Sequence, residues 1–252
     1  MNSKIGANIK ELMLSLRDGE VVTAGILRNR GYSYEQIKGY LKAGYLASVG
    51  RGAYFKPGAQ PSITSALETV KNQDRGIHIG GRSALAQYGF VHFARMGEAE
   101  LELFAGRSER LPGWFESGFA DKYCLVNTEI LPIGLCTEEA TIEGFVVCRS
   151  KPERAILELI YEMPKRVQLN EAAAIMEMLT NLRPELVTDL LAACKSVKVK
   201  RLFLCLADRL SLPWLERIDL RRIDLGKGCR VVTPGGKYDA KWNLVIGEVG
   251  LI

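Results

Sequence analysis

The chain has 252 residues, 47% of them hydrophobic and 25% charged. That is the composition of an ordinary soluble protein of one or two domains, and no apolar run approaches the roughly 20 residues needed to span a bilayer. The net charge of +5 is confined to one end: residues 1–60 hold nine bases (Lys4, Lys10, Arg17, Arg28, Arg30, Lys38, Lys42, Arg51, Lys56) and four acids (Glu11, Asp18, Glu20, Glu35), while the other 192 residues balance 25 bases with 25 acids. A basic head on a neutral body is the pattern of a polyanion-binding module attached to something else.

In chain order, Ile5, Ile9, Leu12, Met13 and Leu16 fall on one helical stripe, which Asp18-Gly19 ends. Thr23 is placed to N-cap a second helix, Ala24 to Arg30, which Gly31 stops. Ser33-x-x-Gln36 is a capping box opening a third helix, Tyr34 to Ala43, whose buried stripe is Ile37, Tyr40 and Leu41. Residues 45–49 and 53–55, joined at Gly50-Arg51-Gly52, read as a hairpin, and Lys56–Pro61 reads as a linker. Helix, helix, glycine turn, helix, basic hairpin is the order of a winged helix-turn-helix.

The body reads as mixed. Helices are expected over Ser62–Asp74, Ala84–Tyr88, from a Ser150-x-x-Glu153 cap with Pro152 to about Met163, and over 170–182, 184–194 and 197–210. Strands are expected at 77–79, 100–104, 123–126, 129–133 and 145–148, with a terminal hairpin of 229–233 and 242–246. The fold class is therefore α+β: a winged helix over 1–58, then a mixed α/β domain over 61–252.

On the head, the third helix presents Tyr34, Glu35, Lys38 and Lys42, with Ser33 and Gln36 at the end that reaches base edges in a major groove. Gln36 can pair with adenine, and Lys38 with a guanine or a phosphate. Arg28 and Arg30 precede the turn and suit backbone phosphates, and Arg51 is the wing contact. Glu35, which repels phosphate, and Gly39, which weakens the helix, count against this reading.

On the body, Gly80-Gly81-Arg82-Ser83 is either a strand-to-helix turn or a phosphate cradle using Arg82. Lys195, Lys198, Lys200, Arg201 and Arg209 make one helix flank basic, so Lys198 and Arg201 join Arg82 as candidate secondary phosphate contacts. Glu98, Glu100 and Glu102 alternate onto one strand face expected to be solvated. Asp224 with Asp239-Ala240-Lys241 weakly imitates the Asp…Asp-x-Lys set of metal-dependent nucleases. His78 and His92 have no ligand at metal spacing, and the six cysteines, none in a Cys-x-x-Cys pair, read as free thiols of a reducing compartment. Lys10 and Glu11 interrupt the only stretch that could serve as a secretory signal. No metal, cofactor or catalytic residue is expected, and the location is expected to be cytoplasmic.

The chain resembles the AbiEi antitoxins of type IV (abortive infection) toxin–antitoxin systems. The resemblance is carried by Gly50-Arg51-Gly52-Ala53-Tyr54, by residues 80–89 with His92, by Leu111-Pro112-Gly113-Trp114-Phe115, by residues 150–158, and by Val199–Phe203 with Pro213-Trp214. It implies a winged helix that binds inverted repeats in its own promoter and represses the operon, as a monomer or weak dimer cooperative on DNA. It also implies a body that counteracts a nucleotidyltransferase-like toxin without a stable direct complex. The competing readings are a body with nuclease or other enzymatic activity, and a winged helix that binds protein.

Overall fold

The computed structural model describes residues 9–72, 76–90 and 100–248. Ile5, Asp74, His92 and Glu98 lie outside the described residues. The chain opens with α1 (Ile9–Ser15), β1 (Val22–Thr23), α2 (Ala24–Asn29), α3 (Tyr34–Lys42), β2 (Ala47–Gly50) and β3 (Ala53–Phe55). The three strands form one antiparallel sheet in the order β1-β3-β2, with Val22 opposite Tyr54 and Ala47 opposite Phe55. This is the winged-helix arrangement. β1 has no counterpart in the sequence reading, because two residues are too few to show an alternation.

Local chemistry sets these boundaries. The Thr23 hydroxyl accepts from the Ile26 amide at 3.3 Å and starts α2. Gly31, at φ +96°, makes the turn after it, and the Tyr32 amide closes the helix end on the Leu27 carbonyl at 3.1 Å. Leu12, Leu16, Val22, Leu27, Tyr32, Ile37, Leu46 and Tyr54 then form one buried cluster under the three helices. Burial of each large apolar side chain stabilises by about 1.5–3 kcal/mol.

The chain folds into two compact units, 1–75 with 109–123 and 140–147, and 76–108 with 124–139 and 148–252. The first unit does not stop in the Lys56–Pro61 segment, where the sequence places its boundary. The segment leads into α4 (Ile63–Lys71). There the Ser65 hydroxyl accepts from the Val21 amide (2.8 Å) and the Thr69 hydroxyl donates to the Val21 carbonyl (2.7 Å). Both bonds are buried and tie α4 to the start of β1.

Then follow β4 (His78–Ile79), α5 (Gly81–Gln87), β5 (Leu101–Ala105), α6 (Gly113–Phe119, in the first unit), β6 (Tyr123–Asn127), β7 (Thr137–Ile142) and β8 (Phe145–Ser150). The sheet order is β6-β5-β4-β8-β7, with β4 antiparallel to β5 and parallel to β8. α7 (Pro152–Tyr161), α8 (Leu169–Met178), α9 (Pro184–Ala193) and α10 (Val197–Arg209) build the rest of the second core. α7 is buried from Glu153 to Ile160 and α10 from Val199 to Ala207. The chain closes with β9 (Arg230–Val231), β10 (Lys237–Asp239) and β11 (Leu244–Ile246).

Three local expectations are corrected. The run 129–133 forms no strand; the Pro132 carbonyl instead accepts from Arg154 at 2.7 Å. The terminal segments 229–233 and 242–246 do not pair as a hairpin. β9 runs parallel to β11, and the antiparallel partner of β11 is β10, with Tyr238 opposite Val245. Ser150 does not cap α7: its hydroxyl donates to Glu158 at 2.8 Å, and Lys151 holds the cap position without a side-chain bond.

Candidate nucleic-acid interface

The capping box of α3 is formed. The Ser33 hydroxyl accepts from the Gln36 amide at 3.2 Å, and Gln36 Oε1 accepts from the Ser33 amide at 2.8 Å. The box fixes where α3 begins, and it also engages the Gln36 carbonyl oxygen, half of the pair a bidentate adenine contact requires. Outside the box, Tyr34, Glu35, Lys38, Gly39 and Lys42 are all exposed, while Ile37 is buried. Tyr34, 64% exposed, is the largest side chain offered at this end of the helix. Burial raises the pKa of the Tyr54 phenol in β3.

The cations around the turn differ in how they are held. Arg28 and Arg51 are exposed. Arg30 is also exposed but ion-paired, its guanidinium 3.1 Å from Glu20. The same buried carboxylate takes Arg17 at 3.3 Å, and Arg17 reaches Glu68 of α4 at 2.5 Å. Lys56 is bound to Asp18 at 2.6 Å. Part of the head's positive charge therefore serves the fold, and Arg28, Lys38, Lys42 and Arg51 are the exposed cations of the sequence-derived set that lie outside these ion pairs.

The wing is held by an element to which the sequence reading assigns no structure. α6 packs on β2 through two glycines. A Cβ at Gly50 would lie 2.6 Å from Ser117 Oγ and 2.8 Å from Trp114 Cα, and one at Gly118 would lie 2.3 Å from Val49 Cγ1. The strand next to Arg51 is thus clamped rather than free. A signal for α6 exists: Leu111, Trp114, Phe115, Gly118 and Phe119 fall at i, i+3, i+4, i+7 and i+8. Trp114, Phe115 and Phe119 are buried, with Phe115 and Phe119 ring centroids 5.2 Å apart.

In the second unit the candidate phosphate contacts have other partners. Arg82 is mostly buried, with Nε 2.6 Å from Glu171, one terminal nitrogen 3.0 Å from Glu102, and its amide donating to Glu102 at 2.7 Å. Glu102 is therefore not on a solvated face but 8% exposed. Burial raises its pKa, and Arg82 only partly offsets that. Arg201, 3% exposed, donates to the carbonyls of Leu225 (2.8 Å), Gly226 (2.9 Å), Gly228 (2.5 Å) and Asn243 (3.0 Å), so it staples the C-terminal segment and presents nothing to a phosphate. Lys198 donates to the Met163 carbonyl at 2.7 Å, and burial lowers its pKa. Lys200 is buried, so the basic flank read from the sequence is not a surface patch.

Gly80-Gly81-Arg82-Ser83 is the strand-to-helix turn, and buried carboxylates explain its glycines. A Cβ at Gly80 would meet Glu158 Oε2 and a Phe104 ring carbon, each at 2.4 Å, and one at Gly81 would lie 2.5 Å from Glu102 Oε2. Glu158 is the centre of this region. It accepts from His78 Nε2 (2.9 Å), Arg154 Nε (2.6 Å), the Ser150 hydroxyl (2.8 Å) and the Gly81 amide (3.1 Å). Burial alone would raise its pKa; His78 and Arg154 overcome it and bring it to about 2.

The nuclease-like residues are also occupied. Lys241 pairs with Asp208 at 2.7 Å, Asp239 accepts from the Trp242 amide at 3.1 Å, and Asp224 accepts from the Gly226 amide at 2.8 Å. Among the described residues no three His, Cys, Asp or Glu side chains gather as a metal site. The described cysteines carry no disulfide, and only Cys229 is exposed. Among the described residues no helix is long and apolar enough to cross a membrane.

Two family descriptions match the chain in tandem. Residues 6–96 match the AbiEi antitoxin N-terminal domain of transcriptional regulators, and residues 98–247 match the transcriptional regulator and AbiEi antitoxin of type IV toxin–antitoxin systems. The chain belongs to the AbiEi antitoxin family. In this AbiEi-family chain the N-terminal match contains the whole winged helix and α4, and the C-terminal match carries Glu158, Arg154 and Arg201. No curated protein matches it. Among solved structures it is similar to the crystal structure of the RV2827C protein from Mycobacterium tuberculosis, with a TM-score of 0.62 at 14% identity over 94% of this chain and 88% of that one. At that identity the likeness concerns the fold.

Proposed function

We propose that this AbiEi-family regulator is a cytoplasmic antitoxin that binds inverted repeats in its own promoter, represses the operon, and counteracts a nucleotidyltransferase-like toxin encoded beside it without forming a stable complex with it. The observation that carries the DNA-binding half is the exposed row Tyr34, Lys38 and Lys42 on α3 beside a wing whose tip is Arg51. α3 is nine residues long, about 13 Å, and the diameter of a helix with its side chains, about 10–12 Å, suits a major groove roughly 12 Å wide. Arg28 and Arg51 would grip phosphates on either side, and Lys38 would reach a guanine or a phosphate. An inverted repeat presents two half-sites, so two copies bind, as a weak dimer or cooperatively on the DNA.

The test is binding of the full chain to its promoter duplex, followed by fluorescence anisotropy across a salt series. Each lost phosphate contact lowers the slope of log K against log salt by about 0.9. The Lys38→Ala/Arg51→Ala double variant is expected to lower it by nearly 2 and to keep its rescue of cells from the toxin. A variant that binds promoter DNA like the wild type, with the same slope, overturns the assigned surface. Unrelated genes beside this one would overturn the toxin partner.

A further inference from the structure

Two residues of α3 stand out because a phosphate-binding helix has no use for them. Glu35 is an exposed acid in its first turn, and Gly39 is an exposed glycine in its interior. Neighbouring chain does not account for Gly39. A Cβ there would meet nothing within 4 Å, and its φ is not positive. Its carbonyl accepts the ordinary helical bond from Ala43 at 2.9 Å. Alanine would fit and would stabilise the helix. Glu35 and Gly39 lie one turn apart, separated by about 40° around the helix axis. They occupy the edge of the exposed face opposite Tyr34. The cations Lys38 and Lys42 lie between the two edges.

We infer that the Glu35–Gly39 edge is the part of α3 that reads bases. This rests on the promoter-binding reading above and specifies how the same helix is seated. A carboxylate is repelled by phosphate but accepts a hydrogen bond from the N4 amino group of cytosine, the one base whose major-groove edge presents only a donor. A missing Cβ one turn further on lets the helix backbone approach that edge closely. Lys38 and Lys42 then face the phosphates. The edge selects a C·G pair in each half-site, and Glu35 penalises any register that brings phosphate against it.

The experiment enriches duplexes with a randomised 20-base-pair centre on the full wild-type chain, Glu35→Gln and Gly39→Ala, with melting temperatures measured alongside. The wild type is expected to enrich a motif with one invariant cytosine per half-site. Glu35→Gln is expected to shift that position towards adenine, the base glutamine pairs with in the major groove, and to bind random duplex more tightly. Gly39→Ala is expected to melt a few degrees higher yet bind the enriched motif about tenfold more weakly, a loss of the size one base contact supplies. A wild-type motif recovered unchanged with both variants overturns this inference alone. A wild-type chain that retains no duplex at low salt overturns the promoter-binding reading and this inference together.

Discussion

Replacing Glu158 by glutamine tests the organisation of the second unit. The carboxylate accepts four hydrogen bonds, two on each oxygen, from His78, Arg154, Ser150 and Gly81. An amide offers one accepting atom and brings two hydrogens. If its oxygen keeps His78 and Arg154, its nitrogen faces the Gly81 amide, donor against donor, and the Ser150 hydroxyl must turn round. An orphaned buried donor costs about 1–3 kcal/mol, and depriving Arg154 of its buried counter-charge adds to that, since broken buried pairs cost about 3–5 kcal/mol. The two terms overlap, so the expected loss is about 3–5 kcal/mol by urea unfolding at pH 7. A pH series separates charge from packing. The Glu158 pKa falls from 4.5 to about 2 on folding, so the unfolded chain takes up this proton first. The carboxylate's contribution is complete above about pH 5 and is lost as the pH falls towards 2. At about 1.4 kcal/mol per unit it amounts to about 3 kcal/mol. Glu158→Gln lacks this contribution, so its stability falls less steeply between pH 5 and 3. A loss under 1 kcal/mol at pH 7, or an acid limb as steep as that of the wild type, would show that the second unit does not depend on a charged Glu158.

Three further outcomes follow from the packing. Gly50→Ala pushes a methyl onto the Trp114 backbone, so a loss of about 1–3 kcal/mol is expected in thermal unfolding; an unchanged melting temperature would show that α6 does not clamp the wing. Arg201→Met strips the Leu225, Gly226, Gly228 and Asn243 carbonyls of their donor, so about 2–4 kcal/mol of stability is expected to go, with promoter affinity unchanged in the folded protein. A loss of affinity without a loss of stability would return Arg201 to the phosphate-contacting set. Burial pushes the Cys205 thiol up to about 12, whereas Cys229 is exposed, so iodoacetamide at pH 8 should label Cys229 at least tenfold faster, read by mass spectrometry; equal rates would contradict the burial.

The interface was more legible in the sequence than the body. The start of α2, its glycine turn and the Ser33–Gln36 box of α3 are each fixed by residues within a few positions of one another. Such signals survive in a single chain because the chemistry is local. The burial of Glu102 is not legible in its neighbours, for the opposite reason. Alternation along β5 shows which residues share a face, but Arg82, twenty positions earlier, decides that Glu102 is buried. Ser150 has the spacing of a helix cap, with Glu153 three residues on, but Glu158 offers it a better partner and Arg183 takes Glu153 at 2.8 Å.

By itself, the sequence determined where positive charge is concentrated, which segments wind into a helix-turn-helix, and where α3 starts. Tertiary structure decided which of those charges remain available. It paired Arg30 with Glu20, buried Arg82 between two carboxylates, closed Arg201 inside a ring of carbonyls, and clamped the wing with α6. The division follows from range. Charge counts and capping are properties of neighbouring residues, whereas whether a cation faces solvent depends on carboxylates and carbonyls far along the chain, which only folding brings within hydrogen-bonding distance.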